Sequence, residues 1–150
     1  MAYIDRLIEN CELAKSSPPI REFELKNLTE LDGMKQAIYI IEEVGGDVEE
    51  TFNKLSQYKD LKKRKCPKLN APSKIMYVGS STTNVQKRIE QHLGKGYYGT
   101  YALHLNFWFT GNYKITIKQF NVSRDVLQIV EDSLSDQLKP AFGKQGGNSR

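Results

Sequence analysis

Hydrophobic and polar positions follow the clearest pattern in the last third of the chain. From Tyr113 to Phe120 apolar and polar side chains alternate, which predicts an antiparallel strand with one face in water. Ser123 is a good N-cap residue for a helix that ends near Leu138, before Pro140. The apolar stripe of that helix is formed by Leu127, Val130, Leu134 and Leu138.

Two other apolar runs, residues 36–42 and 74–79, predict strands. Residues 47–65 lie between them and have helical periodicity. After the second strand, Thr83 and Gln86 are spaced as in a capping box, so we expect a helix from there to Leu93. Residues 97–105 suggest a further short helix.

The first 34 residues contain a predicted amphipathic helix, 3–17, and a short extended piece, 20–25. The order of elements predicts an α/β, or layered α+β, fold: a small three-stranded, mainly antiparallel sheet flanked by helices. We expect one domain over residues 1–150. Its parts are an N-terminal extension, a helical insertion between the first two core strands, and the core itself: residues 1–34, 44–71, and 35–43 with 72–148.

Composition is that of a soluble globular protein, with 39% hydrophobic and 27% charged residues. No run is long enough to span a membrane, and the N-terminus lacks an apolar signal core, so a cytoplasmic location is expected. Two distant cysteines, Cys11 and Cys66, argue against a disulfide scaffold.

The net charge of +4 suits a phosphate-rich partner without identifying one. Positive charge is concentrated at the end of the insertion, and a second basic group lies in the C-terminal segment. The candidate DNA-binding residues are Lys62, Lys63, Arg64, Lys65 and Lys144. A solvated helix end would give the same run of charges.

Glu131 lies on or beside the apolar face of the last predicted helix, between Leu127 and Leu134. A carboxylate in that position is costly unless it is paired or binds a cation. A lysine, arginine or backbone partner is one interpretation, and a divalent-metal ligand is the other. Asp132 is turned away from Glu131 on the helix, and we expect it to be solvated.

Arg88 and His92 are four residues apart on the preceding helix, so both can point at one place. An arginine fork suits a phosphodiester, and a histidine can orient water or move a proton. Tyr39 and Tyr77 lie in the two predicted strands, where tyrosines usually serve packing. Small residues beside them, Ala37 and Gly79, would leave room for a ligand.

The strings Ala37-Ile38-Tyr39 and Tyr77-Val78-Gly79, followed by Arg88, His92 and Glu131, resemble the GIY-YIG nuclease family. The resemblance covers about residues 35–148 and implies that fold. The chain departs from the family pattern at two points: alanine replaces the first glycine, and a long interval separates the two tyrosines. In the C-terminal segment Asn148 is the nearest match to the family's late asparagine, although Gly143 stands where many relatives have it.

This resemblance implies a metal-dependent DNA endonuclease that hydrolyses phosphodiester bonds with one Mg²⁺ or Mn²⁺ on Glu131. Tyr39 is the expected base, Tyr77 its alternate, and Arg88 stabilises the phosphate. The implied catalytic set is Tyr39, Tyr77, Arg88, His92, Glu131 and Asn148. A nucleic-acid-binding or partner-docking domain derived from the nuclease fold is the alternative. A homodimer or a partner that supplies target specificity remains open.

Overall fold

A computed structural model describes residues 1–144. Its helices and strands bear out most of the predicted elements, with bounds that shift by a few residues. The helices are α1 (Ala2–Ser16), α2 (Val48–Asp60), α3 (Val85–Leu93) and α4 (Arg124–Leu138). The strands are β1 (Arg21–Glu24), β2 (Ala37–Val44), β3 (Ile75–Ser81) and β4 (Asn112–Gln119). Short 3₁₀ helices occupy Leu28–Leu31 and Leu105–Phe107.

The strands form one antiparallel sheet in the order β1-β4-β2-β3, which confirms the predicted fold class. Within residues 1–144 the sheet has four strands, where three were expected. The additional strand, β1, is only four residues long and mostly exposed. It becomes a strand by pairing with β4, with Phe23 opposite Ile117, so tertiary context decides its structure.

Both faces of the sheet are covered, as the near-continuous apolar sequence of β2 requires. On one face Tyr39 and Ile41 belong to the larger hydrophobic cluster, together with Leu55 of α2 and Ile89 of α3. On the other face a second cluster packs against α4, and α1 packs on the outside of α4. Within residues 1–144 no helix is long and apolar enough to cross a membrane.

Helix α2 ends earlier than its periodicity predicted. Asp47 caps its start by accepting hydrogen bonds from the N–H groups of Glu49 and Glu50, at 3.0 and 3.2 Å. The chain turns away at Lys62, which has a φ of +54° that no continuing helix can have. The basic run after it therefore lies in a loop that returns to β3, and not on a helix.

Two predictions around α3 were wrong. The N-cap is Asn84, whose side chain accepts from the N–H of Lys87, while Gln86 donates instead to the carbonyl oxygen of Leu28. A long-range partner therefore removes Gln86 from the expected capping box. Residues 97–105 form a turn and a loop, not a helix, up to the 3₁₀ helix at Leu105.

Candidate active site

A cleft of about 600 Å³ opens at the outer edge of the sheet, along β3. The tyrosines reach it from one face of the sheet, and α4 reaches it from the other face. Five of the candidate catalytic and DNA-binding residues line this one cleft: Tyr39, Tyr77, Arg88, Glu131 and Lys144.

The sheet register brings the two tyrosines together. Tyr39 pairs with Gly79 across β2 and β3, so Tyr77, two residues before Gly79, lies diagonally opposite on the same face. The ring centroids are 6.2 Å apart, with 13° between the ring planes. Tyr39 is fully buried and Tyr77 is partly exposed, so Tyr77 offers more surface to a ligand.

Gly79 makes this arrangement possible. A Cβ atom there would lie 2.6 Å from Oη of Tyr39 and 2.7 Å from Cε2 of Tyr77. The expectation that Gly79 leaves room for a ligand needs correction, because the phenol of Tyr39 occupies much of that room. Glycine at this position serves the packing of both tyrosines.

His92 lies beneath the tyrosines with no exposed surface. Its Nε2 is 2.9 Å from Oη of Tyr39, and its Nδ1 accepts a hydrogen bond from the N–H of Leu103 at 3.1 Å. Because Nδ1 accepts, the proton of the neutral ring is on Nε2, and His92 donates to Tyr39. Burial, together with the charge of nearby Arg88, places the pKa of His92 well below its ordinary value, so the ring is neutral near pH 7.

Arg88 is held between α3 and the loop that follows. One terminal nitrogen donates to Oε1 of Gln91 at 3.0 Å, and the other donates to the carbonyl oxygen of Tyr101 at 2.7 Å. Burial raises the pKa of both Tyr39 and Tyr77 above 10, and the positive charge of Arg88 opposes this rise. Both phenols are therefore protonated in the resting protein at neutral pH.

Glu131 is 5% exposed and faces the cleft from α4. Its carboxylate accepts a hydrogen bond from the hydroxyl of Ser80 and forms an ion pair with Lys144, whose Nζ is 3.2 Å away. The periodicity of α4 therefore placed this carboxylate correctly on the buried side of the helix.

Asp132, in contrast, was wrongly expected to be solvated. Its Oδ1 lies 3.2 Å from Nζ of Lys144 and 3.0 Å from Nε2 of Gln128, and the side chain is 23% exposed. Lys144 thus joins two neighbouring carboxylates that helical geometry alone would separate. An ammonium group bound by both shows that this corner of the cleft favours positive charge.

The segment that carries Lys144 is held to the loop before β3 by Asn70. Its side-chain amide donates to the carbonyl oxygens of Pro140 and Gly143, at 3.1 and 2.6 Å. Gly143 has a φ of +91° and lies against the ring of Tyr77, where a Cβ would come within 2.7 Å. Asn148 lies outside the described residues.

The remaining basic candidates lie beside the cleft and not in it. Residues 62–65 line a second cavity, which shares Tyr101 with the first. Tyr98 lines that second cavity, whereas His104 is buried and donates from Nε2 to the carbonyl oxygen of Thr100. Neither residue lines the first cleft.

Several residues that line the cleft were not predicted from the sequence, chiefly Ser80, Gln128 and Tyr101. Tyr101 acts on Arg88 through its backbone carbonyl, which no residue type reveals. Ser80 directly follows the Tyr77-Val78-Gly79 string, so its contact with Glu131 could have been inferred from strand alternation.

Comparison with known proteins identifies the class. The family model of the GIY-YIG catalytic domain matches residues 68–145. This is more than half of the chain, and the chain belongs to the GIY-YIG family, which is a family of nucleases. The match begins after β2, and the register of the sheet supplies Tyr39 beside Tyr77. No curated protein and no solved structure matched the chain significantly.

GIY-YIG nucleases generally use a divalent cation. Within residues 1–144 no group of three or more His, Cys, Asp and Glu side chains converges on one point. Mg²⁺ does not need such a group, because it is often bound by one or two carboxylates together with substrate phosphates. The oxygens of Glu131 and Asp132, now paired with an ammonium group, fit a cation of this kind.

Proposed function

We propose that the protein is a divalent-metal-dependent DNA endonuclease that hydrolyses phosphodiester bonds. The observation that carries the proposal is the convergence of two phenols, a guanidinium and a carboxylate on one cleft: Tyr39, Tyr77, Arg88 and Glu131. Membership of a nuclease family supports the same chemistry.

Glu131 would hold the cation, with Asp132 beside it and Mg²⁺ or Mn²⁺ as the ion. When bound, the cation would act as a Lewis acid on the scissile phosphate and would favour loss of a proton from water. Ser80 keeps the Glu131 carboxylate oriented through its hydrogen bond. The ammonium group of Lys144 would move from the carboxylates towards the phosphate when the cation binds.

Tyr39 would first release its phenolic proton to solvent in the cleft, and the resulting phenolate would accept the proton of the attacking water. Its oxygen already accepts a hydrogen bond from Nε2 of His92, and Arg88 lies close enough to lower its pKa. Both interactions favour the ionised form. His92 is a positioning residue in this scheme, because it touches Tyr39 and not the substrate. Tyr77, the more accessible phenol, would orient the water or serve as the alternate base.

Arg88 would stabilise the negative charge that grows on the phosphate in the transition state. Its guanidinium is fixed by Gln91 and by the carbonyl of Tyr101, so little reorganisation is needed when the charge develops. The basic residues 62–65 would hold the DNA backbone next to the cleft. Asn148 remains a proposed site residue on the family resemblance alone.

A cytoplasmic location is part of the proposal. Both cysteines, Cys11 and Cys66, are free thiols, which is the usual state of cysteine in a reducing compartment.

The deciding experiment is nicking of supercoiled plasmid with Mg²⁺, with Mn²⁺ and with EDTA, comparing wild type with Glu131→Gln. The substitution keeps the size of the side chain and removes its charge. We expect metal-dependent nicking by wild type and a loss of at least about 100-fold in the variant. Glu9→Gln, on the exposed surface of α1, is the matched control.

Equal nicking by wild type and Glu131→Gln would remove Glu131 from the mechanism. Absence of cutting on plasmid, duplex and single strands, with retained salt-dependent DNA binding, would favour a non-catalytic nucleic-acid-binding domain.

A further inference from the structure

A second cavity, of about 540 Å³, lies between the end of the helical insertion and the loop after α3. We name it the basic–aromatic groove. It is lined by Lys59, Lys62, Lys63, Arg64, Lys65, Cys66, Tyr97, Tyr98, Gly99 and Tyr101. Among the described residues that line it, none is acidic.

Backbone contacts hold the two walls of the groove together. The N–H of Lys65 donates to the carbonyl oxygen of Tyr98 at 3.2 Å. The N–H of Ala102 donates to the carbonyl oxygen of Lys65 at 3.5 Å. A turn closed by the N–H of Thr100 and the carbonyl oxygen of Tyr97 shapes the aromatic wall. The basic and aromatic side chains therefore face the same space on a fixed backbone.

The tyrosines of this wall are unusually open to water. Tyr97 is 67% exposed, Tyr98 is 59% exposed and Tyr101 is 62% exposed. The rings of Tyr97 and Tyr98 have centroids 4.7 Å apart and planes inclined by 49°. Large aromatic surfaces that stay outside the core next to positive charge are the combination used to stack nucleic-acid bases.

The groove continues into the catalytic cleft through Tyr101, which lines both cavities. The backbone carbonyl of Tyr101 also holds Arg88, the proposed phosphate ligand. A strand whose phosphate reaches Arg88 would thus pass over Tyr101 towards Tyr98 and Tyr97.

We propose that the basic–aromatic groove binds an unpaired stretch of DNA that leaves the active site, with its bases stacked on Tyr97 and Tyr98. The preferred substrate class is then DNA with a junction between duplex and single strand. This inference rests on the proposed endonuclease function. In a continuous duplex the base faces are covered by neighbouring base pairs, so the lysines could bind phosphates but the exposed rings would have no partner.

The test is equilibrium binding in EDTA, where no cleavage occurs, to a forked DNA and to a fully paired duplex with the same number of phosphates. The variants are Tyr97→Ala with Tyr98→Ala, Tyr97→Phe with Tyr98→Phe, and Tyr3→Ala. Tyr3 is an exposed tyrosine of α1 and serves as the matched control.

Wild type should bind the fork at least about tenfold more tightly than the duplex, and the double alanine variant should lose that preference. Its affinity for the duplex should stay within about twofold, because no phosphate contact has been removed. The double phenylalanine variant should behave as wild type, since the aromatic faces remain. Equal affinity of wild type for fork and duplex would overturn the proposal, as would an equal loss on both substrates in the alanine variant.

Tighter binding of an RNA overhang than of a DNA overhang would overturn the assignment to DNA. The plasmid-nicking assay separates this inference from the proposed function. Wild type that nicks plasmid but binds fork and duplex equally would overturn this inference and leave the proposed function standing. Fork-selective binding by a protein that cuts no DNA would remove the nuclease assignment and leave the groove assignment standing.

Discussion

The Nε2 atom of His92 lies 2.9 Å from Oη of Tyr39 and donates a hydrogen bond to it. The direction of this bond follows from the other side of the ring, where Nδ1 accepts from the N–H of Leu103. Both nitrogens are therefore engaged, and the histidine has no free acceptor for the phenolic proton. In the proposed mechanism the ring would stabilise negative charge on the tyrosine oxygen without taking its proton.

Replacement of Tyr39 by phenylalanine should lower the single-turnover rate of plasmid nicking by about 10²–10⁴-fold, because the proposed base is lost. The same change leaves Nε2 of His92 without an acceptor, so we expect a stability loss of about 1–3 kcal/mol as well. Thermal melting would show whether the variant is folded at the assay temperature. Wild-type nicking by a folded Tyr39→Phe variant would exclude Tyr39 as the base.

The stability of the protein should fall as the pH drops below about 6.5, because burial lowers the pKa of His92 in the folded state. The unfolded chain then binds a proton that the folded chain does not, so the free energy of unfolding increases with pH in this window. The slope is at most about 1.4 kcal/mol per pH unit for one histidine. Urea denaturation between pH 5.5 and 7.5 measures it.

His104 contributes to that slope in the same direction, since burial also lowers its pKa. His92→Gln should remove one part of the slope, and His104→Gln should remove the other. Free energies of unfolding that do not change with pH in wild type would contradict neutral burial of both rings.

Substitution of Gly79 by alanine should destabilise the fold by about 1–3 kcal/mol through overpacking against Tyr39 and Tyr77. The nicking rate should fall by more than the loss of folded protein explains, because the rings of both tyrosines must move to make room for the added methyl group. Gly33→Ala is a useful comparison. Gly33 has a φ of +74°, and a Cβ atom added there would meet nothing within 4 Å, so the change brings backbone strain without steric overlap. Equal nicking rates for the two folded variants would mean that the position of the phenols is not critical.

Removal of the Lys144 ammonium should strengthen binding of a divalent cation in the absence of DNA. Lys144 forms ion pairs with Glu131 and Asp132, so it competes for the same oxygens. We expect Lys144→Met to lower the dissociation constant for Mn²⁺ by about 3–10-fold in a calorimetric titration, as befits a largely buried pair. Lys139→Met, which removes an exposed lysine nearby, should leave it unchanged. Weaker Mn²⁺ binding in Lys144→Met would show that Lys144 supports the site.

Local patterns predicted the elements whose own residues determine their structure. The sequence correctly predicted three such features: the alternation in β4, the Ser123 cap and the buried position of Glu131 on α4. The two tyrosine strands were also legible, and the sheet pairs them directly.

Other features depend on partners that are distant in the chain. Strand β1 exists because β4 lies beside it, and Gln86 is drawn from the expected cap by the carbonyl of Leu28. The ion pair between Lys144 and Asp132 requires the segment after α4 to fold back across the edge of β3. The periodicity of a sequence predicts one helix or strand at a time, so it cannot predict contacts between segments that are distant in the chain.

The residues that line the cleft extend from Tyr39 to Lys144 in the sequence, so they are synthesised at different times. A nascent chain that has emerged as far as β4 already contains both tyrosines and Arg88. It still lacks Glu131, and it lacks the 140–143 segment, whose backbone N–H groups at Ala141 and Phe142 donate to β3. In the proposed mechanism, the corner formed by Glu131 would therefore be the last part of the cleft to be completed during synthesis, and a chain that stops after β4 would lack the residue proposed to hold the cation.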